Sequence, residues 1–125
     1  MNINELGEKG EERVVKFLKK NKYKILSRNY SLKTGEIDII AEDKRYIVFV
    51  EVKTRSEGQM LTPALSVDRK KRLKILKTAA LYLQKNNTDK QPRFDIAEVI
   101  YDQKGKLNVN YIENAFEQEG EYAVF

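Results

Sequence analysis

Apolar positions along this 125-residue chain recur with two different periods, and the changes between them lay out its elements. Leu6, Val14, Phe17 and Leu18 fall at helical spacing, which predicts a helix from Asn4, as N-cap, to Asn21. Tyr23–Tyr30, Glu36–Glu42 and Tyr46–Thr54 are rich in β-branched and aromatic residues, and Thr34-Gly35 and Asp43-Lys44 separate them as turns, so three strands are predicted. Arg55–Thr62 reads as a polar loop, and Pro63 opens toward a second helix that runs from Ser66 or Asp68 to Lys85. Its apolar stripe is predicted to be Leu73, Leu76, Ala80 and Leu83. Two more strands, Phe94–Tyr101 and Leu107–Ile112, flank the turn Asp102-Gln103-Lys104-Gly105. With no internal repeat, linker or low-complexity tract, residues 1–125 read as a single domain.

The order αβββαββ predicts an α/β sandwich: a mixed central sheet flanked by helices, with the second helix as a crossover between strands.

The third predicted strand breaks its own pattern. Val48-Phe49-Val50 is apolar enough for both faces to be buried, yet Glu51-Val52-Lys53 follows directly. A side-chain period of two puts Glu51 and Lys53 on one face, and likewise Glu36 and Asp38 in the strand before it. Two adjacent strands can thus aim three carboxylates and one amine into a single volume. Two readings fit. On a solvated hairpin face these residues form a cross-strand salt-bridge ladder worth ~0.2–1 kcal/mol per pair. At a buried position they form a site for a hard cation, Mg²⁺ or Mn²⁺, with Asp38 and Glu51 as ligands, the Val52 carbonyl as a third oxygen, and Lys53 against a water or phosphate. Glu36, at the start of its strand, equally suits an ion pair with Arg28 or Arg55.

Composition narrows the chemistry. The chain has no Cys and no His, which removes disulfides, thiolate nucleophiles, Ser-His-Asp triads and the usual zinc sites. Any reaction must run on carboxylates, Lys, Arg, Tyr and a bound ion. A net charge of +5 points to a polyanionic partner. Lys70, Lys71, Lys74 and Lys77 recur at helical spacing, either as a grip on phosphates or as a solvated helix face, and Arg55 is grouped with them as a nucleic-acid contact. Arg93 and Asp95 are expected to form a structural ion pair. No apolar stretch approaches the roughly 18 residues of a membrane span, and the opening Met-Asn-Ile-Asn-Glu-Leu-Gly is no signal peptide, so a cytoplasmic location is expected.

An acid on one strand followed by Glu-x-Lys on the next resembles the PD-(D/E)xK nuclease superfamily, with Ile37-Asp38 where Pro-Asp often stands. The chain further resembles the bacterial YraN family of predicted endonucleases. The likeness rests on Gly10-Glu11, on Tyr23-x-Ile25-Leu26-x-Arg28-Asn29-Tyr30, on Gly35-Glu36-Ile37-Asp38-Ile39-Ile40, on Val48 to Arg55 and on Arg93-Phe94-Asp95, and it covers nearly the whole chain. The resemblance implies a restriction-endonuclease-like fold related to archaeal Holliday junction resolvases. It also implies a Mg²⁺- or Mn²⁺-dependent endonuclease acting on DNA, branched or damaged, with Glu11, Asp38, Glu51 and Lys53 at the catalytic positions; Lys71 matches a family position as well. A homodimer is expected by analogy with those resolvases. The chain departs from the pattern at Asn21-Lys22, where a Gly commonly precedes the Tyr, at Val14 for Ala, and at Met60-Leu61 for Phe-Gly. Two alternatives stand beside the endonuclease: a non-catalytic nucleic-acid-binding module with the same fold, and a protein-interaction scaffold.

Overall fold

A computed structural model describes residues 2–58 and 68–117. Helix α1 (Ile3–Lys20) leads into strands β1 (Lys24–Leu32), β2 (Gly35–Glu42) and β3 (Tyr46–Ser56), and helix α2 (Arg69–Lys85) precedes β4 (Gln91–Tyr101) and β5 (Leu107–Phe116). The expected αβββαββ order is therefore present. One mixed five-stranded sheet runs in the order β1-β2-β3-β4-β5. β3 and β4 are parallel, with α2 in the connection between them, and every other neighbouring pair is antiparallel.

This topology makes β3 the central strand, which explains its apolar run. Val48 and Val50 turn toward α1, where they join Val14, Val15, Leu18, Ile39, Ala41, Ala97 and Val99. Ile47 and Phe49 turn the other way and pack with Ile40, Ile75, Leu76, Ala79, Tyr82, Phe94 and Ile96 beneath α2. Within that second core Phe49 stacks on Phe94, and Phe94 on Phe116, each with ring centroids 5.4 Å apart.

Several boundaries differ from those the sequence predicts. The N-cap of α1 is Asn2 rather than Asn4: Asn2 Oδ1 accepts the Glu5 amide at 2.8 Å while its amide group donates to Glu5 Oε1 at 3.2 Å, a reciprocal pairing Asn4 does not make. The buried stripe of α2 is rotated from the predicted one, since Ile75, Leu76, Ala79 and Tyr82 enter the core while Leu73 and Leu83 pack at its margin and Ala80 is only half-buried. Arg55 and Ser56 belong to β3 rather than to a loop, because parallel pairing with β4 continues to Ser56↔Tyr101. β5 runs on to Phe116 past a register shift opposite Phe94 and Ile96. The predicted start at Ser66, the loop from residue 59, Met60-Leu61 and Pro63 lie outside the described residues.

Arg93 and Asp95 form the expected ion pair, and more. Asp95 has no exposed surface and takes Arg93 Nη2 at 2.8 Å, the Tyr111 hydroxyl at 2.6 Å and the Asn114 amide at 2.9 Å. Arg93 Nη2 also donates to the Tyr23 hydroxyl at 2.7 Å, so the network ties the sheet to the chain leaving α1. All of these groups are saturated, as burial requires.

Between α1 and β1 the chain turns at Lys22, whose φ of 71° is left-handed. The Tyr23 amide donates to the Leu18 carbonyl at 2.9 Å and the Lys22 amide to the Lys19 carbonyl at 3.1 Å, a helix end that glycine serves without steric cost. Lys22→Gly is expected to stabilise the protein by about 0.5–1 kcal/mol, the relief of left-handed strain less the added freedom of the unfolded chain. Urea melts of the two proteins check this.

Candidate active site

The site begins where β2 and β3 part. Their pairing ends at Ile39↔Val50, so the next residues, Asp38 and Glu51, stand opposite one another with no ladder bond between them. The facing of β2 also breaks here: Ile37 packs under α2, whereas Ile39, two residues on, packs under α1. Asp38 sits at that roll. Its Oδ2 accepts the Val52 amide at 2.8 Å, and so satisfies a strand donor that the ladder no longer reaches.

Glu51 is 6 % exposed, so the solvated salt-bridge ladder is not what this pair forms. Its Oε1 receives Lys71 Nζ at 2.6 Å from the first turn of α2 and Lys53 Nζ at 3.8 Å from its own strand. Two ammonium groups therefore share one carboxylate oxygen. Lys53, pressed by burial and by the Lys71 charge beside it, has its pKa lowered. Lys71, despite burial, is raised by its bond to Glu51.

Asp38 is pushed up to about 7 by burial first and by the Glu51 charge second, against the Val52 amide bond, which lowers it. Such a carboxyl lies at the foot of two clefts. The one on the α2 side, about 460 Å³, is lined by Gly35, Glu36, Asp38, Glu51, Asp68, Lys70, Lys71, Lys74 and Ile75. The one on the α1 side, about 390 Å³, is lined by Leu6, Gly7, Glu11, Asp38, Val52, Thr54, Arg55 and Tyr101.

Glu11 reaches the second cleft because α1 lies close on β3 at Gly10, where a Cβ would stand 2.5 Å from Thr54 Oγ1. Its Oε1 is buried and has no hydrogen-bond partner among the described residues, and Arg28 Nη2 stands 3.9 Å away. Burial raises the Glu11 pKa against the pull of Arg28 and a side-chain contact with Asn29. On the other side α2 docks against the β1–β2 turn at Gly35, where a Cβ would come within 3.2 Å of Lys74 Cβ and Thr78 Oγ1. The Thr34 and Thr78 hydroxyls pair across that contact at 2.7 Å.

The residues singled out from the sequence divide into groups. Asp38, Glu51, Lys53 and Lys71 converge, Lys70 and Lys74 line the same cleft, and Glu11 approaches Asp38 from the opposite side. Lys77 is exposed and is not in that lining. Arg55 lines the other cleft and is held by Glu98, with Nε 2.7 Å from Oε2 and Nη2 3.3 Å from Oε1. Neither guanidinium expected near Glu36 is there, because Arg28 turns to Glu12 at 2.6 Å and Arg55 to Glu98. Val52 contributes its amide to Asp38 and its side chain to the α1-side core. The sequence reading missed Glu98, which is 2 % exposed and also receives Asn110 Nδ2 at 3.4 Å, and it missed the Lys71–Glu51 bond. A charge inside the apolar run Phe94–Val99 was the available signal for Glu98; nothing in the sequence pairs residues 51 and 71.

A match to the family described as uncharacterised protein family UPF0102 spans residues 10–99. The chain belongs to that family. It is 47 % identical over 117 residues to a UPF0102 protein of Clostridioides difficile, an alignment covering 93 % of this chain and all of the relative. It is 46 % identical over 120 residues to one from Caldanaerobacter subterraneus, covering 93 % and 98 %, and 42 % identical over 118 residues to one from Caldicellulosiruptor saccharolyticus, covering 93 % and 100 %. Among the described residues no helix is long and apolar enough to cross a membrane.

The donor set suits a hard divalent cation in kind: the carboxylate oxygens of Asp38 and Glu51, with Glu11 Oε1 on the α1 side buried without a hydrogen-bond partner among the described residues, and neither sulfur nor imidazole. Among the described residues no three carboxylates already stand together at ligating distance. Mg²⁺ does not require that, since it is commonly held by one or two carboxylates with waters and substrate phosphate completing the shell. Asp38 and Glu51 are the residues that would hold it.

Without a cation the raised pKa of Asp38 has a stability consequence. Its ordinary value is 3.8 and its folded value about 7, so between them the unfolded chain ionises first and gains relative to the folded one as pH rises. Asp38→Asn, measured in EDTA, is expected to be more stable than wild type at pH 8 and to lose that advantage progressively toward pH 4. Urea melts across that range test it, and a pH-independent difference would remove the raised pKa of Asp38.

Proposed function

We propose that this UPF0102 protein is a divalent-metal-dependent endonuclease that hydrolyses phosphodiester bonds in DNA. The observation that carries the reading is the grouping of Asp38 and Glu51 where β2 and β3 part, in a cleft whose α2 wall carries Lys70, Lys71 and Lys74, with Lys53 Nζ 3.8 Å from Glu51 Oε1. Burying like charges together costs folding free energy, and the two saturated networks at Asp95 and Glu98 mark what a purely structural solution looks like in the same sheet.

Within this reading the protein residues divide the work. Lys70 and Lys74 bind the phosphate backbone without reading bases. Lys53 holds a water or a nonbridging phosphate oxygen beside Glu51, where its ammonium offsets charge that grows in the transition state. Asp38 is oriented toward the site by the Val52 amide. A bound Mg²⁺ or Mn²⁺ would supply a more acidic water and neutralise phosphate charge. Branched or damaged DNA is the substrate class suggested by the likeness to junction resolvases, and a homodimer the matching assembly.

A second reading, a nucleic-acid-binding module without chemistry, draws on the bond that already neutralises Glu51 through Lys71. Cleavage decides between them. Purified protein incubated with linear, flapped and four-way DNA is expected to cut in Mg²⁺ or Mn²⁺ and not in EDTA. Glu51→Ala and Lys53→Ala should each lower the rate by about a hundredfold or more, the usual loss for an electrostatic catalytic group. DNA binding without metal-dependent cleavage by wild type would leave the binding module as the function.

The basic wall has its own test. Changing Lys70 and Lys74 together to Gln is expected to weaken binding equally for unrelated sequences and to flatten the log-log salt dependence by roughly one to two units. An unchanged slope would assign both lysines to solvent.

A further inference from the structure

We infer that Lys71 is a built-in stand-in cation: it holds Glu51 while no metal is bound, and passes to a phosphate of the DNA when a divalent ion takes its place, so that metal and DNA bind cooperatively through this one side chain. The inference rests on the metal-site reading and adds to it a role for a residue outside the Asp-Glu-Lys pattern.

Three observations lead there. First, Lys71 Nζ lies closer to Glu51 Oε1 than Lys53 Nζ does, 2.6 Å against 3.8 Å, so the helix lysine rather than the motif lysine is the principal counter-charge of this buried acid. Second, both ammonium groups approach the same oxygen. A divalent ion at that oxygen would face a full positive charge within a few ångströms in a partly desolvated site, and the three cannot remain together. Third, Lys71 has somewhere to go. It stands in the first turn of α2, where its amide bonds to the Asp68 cap at 2.8 Å, and it is half exposed beside Lys70 and Lys74 in the cleft. Rotation about its side-chain bonds carries the ammonium from the floor of the cleft toward its mouth, and the backbone need not move. Lys53 is the less exposed of the two, 30 % against 42 %, and does not line that cleft.

The consequence is a reciprocal linkage. Displacing Lys71 opposes metal binding when no DNA is present, and releases a cation for phosphate when DNA is present. Each ligand then favours the other by the same factor. A lysine serving only as a structural partner of Glu51 would add nothing to the coupling that a metal–phosphate contact gives by itself.

The experiment uses Mn²⁺ alone as the probe, with free Mn²⁺ followed by electron paramagnetic resonance on the full chain. Lys71→Met is expected to bind Mn²⁺ about three- to tenfold more tightly than wild type, whereas Lys74→Met, which loses the same charge from the same cleft without touching Glu51, should stay within about twofold. Lys71→Gln serves as a second variant if Met unfolds the protein, and thermal melts confirm folding. A phosphorothioate DNA duplex should then tighten Mn²⁺ binding to wild type by a larger factor than to the Lys71 variants. Mn²⁺ affinity that falls, or that rises no more than in Lys74→Met, overturns the inference, as does tighter binding with the duplex effect intact. In those cases Mn²⁺ binding that is lost in Glu51→Gln would still leave the metal site standing. Absence of Mn²⁺ binding from wild type and the Lys71 variants alike would overturn both.

Discussion

The hydrogen bond from the Val52 amide to Asp38 is the constraint on which the site depends. β3 lies in the middle of the sheet, and a central strand cannot leave an amide unpaired without a penalty of about 1–3 kcal/mol. When β2 rolls away beyond Ile39↔Val50, the carboxylate of Asp38 takes the place a strand carbonyl would have filled. One residue thereby closes the ladder, holds two diverging strands together and lines both clefts. Glu51 falls opposite it because antiparallel register leaves no other choice, and Lys53 follows on the same face.

Burial then separates structural charges from chemical ones. Asp95 and Glu98 lie deeper than Asp38, yet each is surrounded by donors with fixed geometry: Arg93, Tyr111 and Asn114 around the first, Arg55 and Asn110 around the second. Such saturation offsets desolvation and leaves no capacity for a ligand. The acids at the split are served differently. Glu51 relies on two flexible lysines, Asp38 on a single amide with an anion opposite, and Glu11 has an oxygen with no hydrogen bond among the described residues. Partly satisfied buried carboxylates in one place cost folding free energy, and binding a cation and a phosphate would offset that cost.

Much of this was legible in the chain itself. The element order and the grouping of Asp38, Glu51 and Lys53 follow from alternation, turn residues and the abrupt charge after Val48-Phe49-Val50. The Arg93–Asp95 pair was legible too, since two opposite charges two apart in an apolar strand share a face. The N-cap at Asn2 and the rotated stripe of α2 were not, because both depend on which of two near-equivalent registers gains more from its surroundings. Asn4 and Asn2 are equal as caps until the Glu5 partner is counted, and Ala80 is as apolar as Ala79 until the sheet selects one of them.

What the sequence by itself determined is local: which segments are helix or strand, where charge interrupts an apolar run, and which side chains share a face. These follow from backbone periodicity and turn chemistry, which act over a few residues. Only the tertiary structure decided that Arg55 is bound to Glu98, that Glu11 meets Asp38 from the far side, and that Lys71 rather than Lys53 is the near partner of Glu51. Those pairings join residues far apart in the chain. The first follows from the parallel pairing of β3 with β4; the other two depend on how closely α1 sits at Gly10 and α2 at Gly35, distances that come from packing two helices onto a sheet and leave no periodic mark in the sequence.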